Sequence, residues 1–214
     1  MADHTKDRIV EAAYRTLVAH GYHDTSMKDI ARAAGVAPGL AHYYFETKED
    51  LLVAAIEHAC RPAIEAWDAA GISLTAPLPE DADPLAFART GFELAKQELK
   101  AYPGVLQLTF DMFGVGLHNP KIAAAVRAFI DERRAFIARI AQGVIAGMPA
   151  RPEASADSIA AALWASLHGI YLQKLMDQRF DADAAIDALS EMAIAFATGA
   201  TGAPGAPGGP PKER

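Results

Sequence analysis

Apolar residues in this chain recur at spacings of three and four almost from end to end, and the alternation a strand would need is nearly absent. That period is the turn of an α-helix, so the pattern predicts an all-α fold. The 214 residues are 51% hydrophobic and 22% charged, enough to bury a sizeable core in one or two domains and too apolar for extended disorder. With Cys60 as the only thiol, a disulfide framework or a Cys-rich metal site is excluded, and no metal or cofactor is expected. The charged start, Met1 to Asp7, leads into a helical pattern with no apolar signal segment behind it. The longest apolar runs, such as 159–167, are about half the roughly 20 residues a membrane helix needs. A cytoplasmic chain without a membrane partner is expected. Its formal charge of −7 weighs against a nucleic-acid partner, since neutralising phosphates takes clustered Lys and Arg.

Glycines, prolines and caps divide the helical pattern into about nine segments. The first runs over 5–20, with Ile9, Ala13 and Leu17 on one face and Gly21 as its left-handed stop. Ser26 and Asp29 form a capping box for a short second helix that ends at Gly35. Pro38 suits the first position of a third, through Tyr44, and a fourth covers 48–70. The stretch 71–84, with Pro77, Pro79 and Pro84 among Glu80, Asp81 and Asp83, has the composition of a loop. Further helices are predicted at 84–101, 104–116, 120–146, 155–179 and 182–197. Residues 198–214, rich in Gly and Pro, are expected to form a disordered tail.

Two short helices joined by Ala31-Arg32-Ala33-Ala34-Gly35-Val36 have the composition of a helix-turn-helix. Ala31 and Ala34 let the helices approach closely, Gly35 permits the positive φ that reverses the chain, and Val36 plugs the corner. With the continuation His42-Tyr43-Tyr44-Phe45-Glu46-Thr47-Lys48-Glu49-Asp50-Leu51-Leu52, and with Arg8 to Ala13 and Gly21-Tyr22 before it, residues 6–52 resemble the TetR/AcrR family of bacterial one-component transcriptional regulators.

The resemblance implies a three-helix DNA-binding domain over 1–50 and a helical ligand-binding and dimerisation domain over 51–197. It puts base reading on Pro38, Gly39, Leu40, His42 and Tyr43, with Met27 and Lys28 also facing the groove. Phosphate contacts fall on Lys48 and on Tyr44 or Tyr43, with Tyr22 and Thr25 as weaker candidates; Phe45 reads as packing. The chain departs from the family at the start of the third helix, where many members carry Ser or Thr and this one has Ala37, Pro38, Gly39 and Leu40. Few hydrogen-bonding side chains are left there, so readout would rest on His42, Tyr43 and Lys28. Residues 1–60 are themselves acidic on balance, so DNA contact must rely on a few placed cations and on doubling in a dimer.

In the larger domain, Leu106, Gln107, Phe110, Met112 and Phe113 on one helix, and Trp164, His168 and Tyr171 on another, either form core or line a pocket for a small apolar or aromatic effector. Ala161, Ala165 and Gly169, together with Ile186, Leu189, Ala193 and Phe196, are candidates for a homodimer face. The catalytic patterns G-x-S-x-G, H-E-x-x-H and C-x-x-C are missing, so no enzyme is expected. The function implied is a repressor released from a palindromic DNA operator by a small-molecule effector. The alternative is a dimeric small-molecule-binding adaptor that has lost DNA binding.

Overall fold

The computed structural model describes residues 2–79, 82–148 and 152–198, and the expected tail from residue 199 on lies outside them. Among the described residues there are nine helices and no strand. They are α1 (Ala2–His20), α2 (Met27–Ala33), α3 (Pro38–Tyr44), α4 (Lys48–Ala69), α5 (Pro84–Ala101), α6 (Pro103–Gly116), α7 (Pro120–Ala146), α8 (Ala156–Met176) and α9 (Ala182–Thr198).

The boundaries follow local chemistry. Gly21 and Gly35 take φ of +77° and +64°, conformations that cost a residue with a Cβ. Pro38, Pro84, Pro103 and Pro120 each open a helix, where a missing N–H costs nothing. Helix α8 stops at Met176, three residues short of the sequence expectation. Asp177 turns extended, and the Lys174 ammonium reaches forward to donate to the Gln178 and Phe180 carbonyls. Pro62 sits inside α4 on its exposed side, so the helix continues one hydrogen bond short.

Three buried clusters hold the helices together. In the first, Ile9 and Leu17 of α1 and Ile30 of α2 pack with Leu51 and Leu52 of α4. The same cluster takes in Leu108 and Met112 of α6 and Ile122 of α7. Helix α4 therefore crosses residue 50 without a break, and one core spans both sides of the expected boundary. Gly104 is part of this fit, because a Cβ there would lie 3.0 Å from both Tyr14 Oη and Val18 Cγ1 of α1. The second cluster joins Phe92 and Leu99 of α5 to Ile170 and Tyr171 of α8 and to Ile186 and Leu189 of α9. Lys96 with Asp187, and Lys100 with Asp183, tie α5 to α9 along its edge. The third gathers Leu94, Phe136 and Ile140, with Trp67 at the end of α4 packed on it. Ile72 of the α4–α5 connection is buried in it and Leu74 and Leu78 pack against it, so that this loop is pinned rather than free.

The first cluster ties α1 and α2 to α6, so loss of packing in α6 should be felt in both. Leu108 is fully buried, and Leu108→Ala is expected to cost about 2–5 kcal/mol in urea unfolding. Helical signal and Trp fluorescence should be lost in one coincident transition; two separate transitions would show that the shared core does not couple the parts.

Candidate functional site

The turn between α2 and α3 is fixed from both ends. Ser26 and Asp29 complete their capping box at the start of α2, while Arg8 Nη2 donates to the Ala34 carbonyl at its end, 2.6 Å away. A positive side chain placed on the last carbonyls of a helix also complements its dipole. Ala31 and Ala41 are fully buried where α2 and α3 meet the core, and Val36 packs against it. With its inner face anchored at Ala41, α3 presents Pro38, Gly39, Leu40, His42 and Tyr43 outward. Tyr43 is 79% exposed, a large amount for an aromatic ring on a helix this short. Lys28 is exposed on α2, whereas Met27 is half-buried against the first cluster and shares its surface with packing. Tyr44 is half-buried and meets Tyr43 edge to face at 5.2 Å; Phe45 is buried.

The candidate phosphate contacts around α4 are largely committed inside the protein. Lys48 Nζ donates to the Tyr22 carbonyl at 2.7 Å and the Thr25 carbonyl at 2.9 Å, and lies 4.0 Å from the Tyr22 ring centre. Burial lowers its pKa, and the two carbonyls compensate for the lost water. Tyr22 is buried, its hydroxyl donating to Glu49 at 3.0 Å, and its pKa is pushed up to about 12 by burial first and by that carboxylate second. Thr25 is buried and donates to the Gly21 carbonyl. Tyr22 and Thr25 thus serve to hold the turn, a correction that pattern alone could not supply, because their partners lie on the opposite side of the turn or on α4. The start of α4 is held in turn from the larger domain: Lys121 pairs with Asp50 at 2.6 Å, and Asn119 donates to Glu49. On α6, burial raises the pKa of Asp111, and the nearby Tyr22 backbone N–H opposes that rise.

Between α4, α5, α6, α7 and α8 lies a cavity of about 200 Å³, with the end of α9 closing one side. Of the residues expected to line a pocket, Leu106, Trp164, His168 and Tyr171 are on its wall. Phe110 and Phe113 line an adjoining groove on the far side of Trp164 and His168. Gln107 is exposed and belongs to neither, since Leu106 and Leu108 both point inward and the residue between them must turn away. Met112 is buried in the first cluster.

His168 stacks on Trp164 with ring centres 3.8 Å apart, and its Nδ1 lies 3.0 Å from the Trp164 carbonyl oxygen. That oxygen can only accept, so Nδ1 carries the proton. Burial pushes the His168 pKa down to about 4, with the Arg133 charge adding to it. Trp164 Nε1 is buried with no partner among the described residues. Tyr171 donates to the Ala95 carbonyl. The wall also holds residues that pattern reading passed over: Cys60, Trp67, Glu98, Arg133 and Phe136. Burial raises the Cys60 thiol pKa to about 11, which keeps it unreactive. Glu98 could have been found from helical phase, because 91, 95 and 98 fall on one stripe of α5, beside the buried Phe92 and Leu99.

Among the described residues no group of three or more His, Cys, Asp or Glu is placed to hold a metal ion. None of their helices is long and apolar enough to cross a membrane.

Comparison with known proteins gives two family matches. Residues 9–55 match the family described as bacterial regulatory proteins, tetR family, and residues 99–196 match BetI-type transcriptional repressor, C-terminal. The HTH-type transcriptional regulator BetI of Agrobacterium fabrum is 47% identical over 53 residues, covering 25% of this chain and 26% of that protein. The HTH-type transcriptional regulator RutR of Escherichia coli K12 is 32% identical over 138 residues, covering 62% of this chain and 60% of that protein. The chain thus spans about a quarter of the length of the first relative and three fifths of the second. The transcriptional regulator FadR from Bacillus subtilis, solved in complex with stearoyl-CoA, superposes with a TM-score of 0.70 at 18% identity. That superposition covers 86% of this chain and 95% of that one, and establishes a common fold.

The neutral, buried His168 has a consequence for stability. Its folded pKa lies below the unfolded value near 6.5, so the unfolded chain binds a proton first and stability falls as pH drops from about 6.5 toward 4. His168→Gln removes this contribution. The stability of the variant relative to the parent should rise over that window by up to roughly 3 kcal/mol, measured by urea unfolding at several pH values. A constant difference would show that the imidazole is not held neutral.

Proposed function

Since the chain belongs to the TetR family of bacterial regulatory proteins, we propose that it is a ligand-responsive transcriptional repressor that binds a palindromic DNA operator as a homodimer in the cytoplasm. The observation that carries this is the outward face of α3. Leu40, His42 and Tyr43 are exposed there, on a helix locked from behind by Ala41 and from the turn by Arg8. Such a face fits the major groove, with Leu40 or Pro38 against thymine methyl groups, Gly39 allowing close backbone approach, and His42, Tyr43 and Lys28 supplying polar contact. Met27 would touch the duplex with the part of its surface left free by the core. Tyr44 and the third N–H of Lys48 would reach phosphate.

One recognition helix reads too short a half-site, so a two-fold partner is part of the proposal. The surface that suits it is the exposed stripe Ala165, Gly169, Leu172 and Met176 of α8 with Met192 and Phe196 of α9. Ile186 and Leu189, expected on that face, are instead buried within the subunit. The effector would be a small apolar or aromatic molecule in the cavity walled by Leu106, Trp164, His168 and Tyr171. It would act by population shift. Helices α4, α6 and α7 wall the cavity and also carry Lys48, Asp111 and Lys121, which hold the turn at Tyr22 and the start of α4. Displacing them alters the spacing of the two recognition helices. FadR, with the same fold, holds an acyl-CoA, which supports a ligand site in this architecture.

Retardation of the duplex upstream of the chain's own gene at about 50 mM salt tests this, with binding that falls steeply as salt rises. Tyr43→Ala should weaken binding roughly tenfold or more. Because the ring is mostly exposed, stability should stay within about 0.5 kcal/mol. Failure to retard any duplex would favour the adaptor that has lost DNA binding.

A further inference from the structure

Residues 1–60 carry six Lys and Arg side chains: Lys6, Arg8, Arg15, Lys28, Arg32 and Lys48. Four of them are answered within the protein. Arg8 donates to the Ala34 carbonyl at 2.6 Å, Arg15 lies 3.7 Å from Glu11, and Arg32 pairs with Asp29 at 3.1 Å. Lys48 gives two N–H groups to the Tyr22 and Thr25 carbonyls and has the charges of Glu49 and Asp24 close by. Lys6 and Lys28 remain. Both are exposed, and neither pairs with a carboxylate or a carbonyl among the described residues. Lys28 lies on the surface already assigned to the duplex, whereas Lys6 belongs to α1.

The position of Lys6 is set by packing. Ile9 and Val10, three and four residues further on, are buried in the first cluster, so Lys6 prolongs the packed face of α1 by one turn past the edge of the core. There its ammonium stands over the Phe45 ring, 5.9 Å from the centre, at the range where a ring face still attracts a cation. Phe45 caps the C-terminal end of α3, so Lys6 is held at that end of the face that displays His42 and Tyr43. A helix of seven residues is about 10 Å long, and the major groove is about 12 Å wide. A cation beside the end of such a helix therefore stands at the edge of the groove, where phosphates run, and not over the bases. Its exposure leaves the ammonium free to turn from the ring toward a phosphate oxygen.

We propose that Lys6 is a DNA phosphate contact, which makes the start of α1 part of the duplex interface. This rests on the DNA-binding reading above and deepens it. In a segment that is acidic on balance, Lys6 is one of two uncommitted cations, and its loss should be felt in the salt dependence of binding.

The test follows binding of the full chain to two labelled duplexes of equal length by fluorescence anisotropy, from about 50 to 200 mM salt. One duplex is the segment upstream of the chain's own gene and the other is of unrelated sequence. Lys6→Gln should reduce the slope of log affinity against log salt by about 2 per dimer, close to one for each phosphate given up. It should weaken both duplexes by the same factor, because a phosphate carries no sequence. Lys6→Arg should retain the parent slope. Arg15→Gln removes the same charge about 14 Å further along α1, beyond the screening length of about 10 Å at 0.1 M salt, and should leave the slope unchanged. Gln and Arg are good helix formers and position 6 is exposed, so the fold is kept in each variant. An unchanged slope in Lys6→Gln, an equal loss in Arg15→Gln, or a weakening confined to the upstream duplex overturns the assignment. A parent chain that binds either duplex while Lys6→Gln keeps its slope removes the Lys6 contact and keeps the repressor; a parent chain that binds neither removes both.

Discussion

Helix α4 must satisfy two buried environments at once, and the rest of the molecule is arranged around that demand. Its first turns bring Leu51, Leu52 and Ala55 into the core shared with α1 and α2, while its second half sets Cys60, Ala63 and Trp67 against the cavity. A helix is stiff along its axis, so neither end can shift without the other. At the junction Lys48 is drawn partly out of water, and the carbonyls of Tyr22 and Thr25 replace the water it loses. That exchange fixes the α1–α2 turn to the start of α4. Arg8 does the corresponding job at the far end of α2.

Most of the fold was legible because helix punctuation is local. Gly21, Gly35, Pro38 and the Ser26–Asp29 box each act through neighbours within four residues, so the sequence displays cause and effect together. The end of α8 was not, because Lys174 reaches forward to carbonyls of a turn whose shape the pattern does not contain. Lys48, Tyr22 and Thr25 read as polar residues near a DNA surface, yet Lys48 finds its carbonyls 23 and 26 residues back and Tyr22 finds its carboxylate 27 residues on. Gln107 sits in an apolar run that suggests an inward place, yet one residue of rotation carries it to the outside. Glu98 was passed over for the opposite reason. A charged residue on a helix reads as solvated, and only the phase of its neighbours places it inward. The apolar stripe of α9 suggests a partner face, yet α5 and α8 supply enough surface to cover Ile186 and Leu189 within the subunit.

The outward face of α3 and the cavity differ in how tightly their residues are bound to folding. Leu40, His42 and Tyr43 are displayed on a scaffold completed without them, so their replacement leaves the core intact. Phe136, Leu106 and Tyr171 wall the cavity and belong to the buried clusters as well. On the reading proposed for α3, the displayed face in a lineage of such chains is free to drift toward new DNA sequences at little cost to stability. A change of small-molecule preference has to pass through substitutions that also loosen the fold, so it should come more slowly and in the company of compensating changes elsewhere in the core.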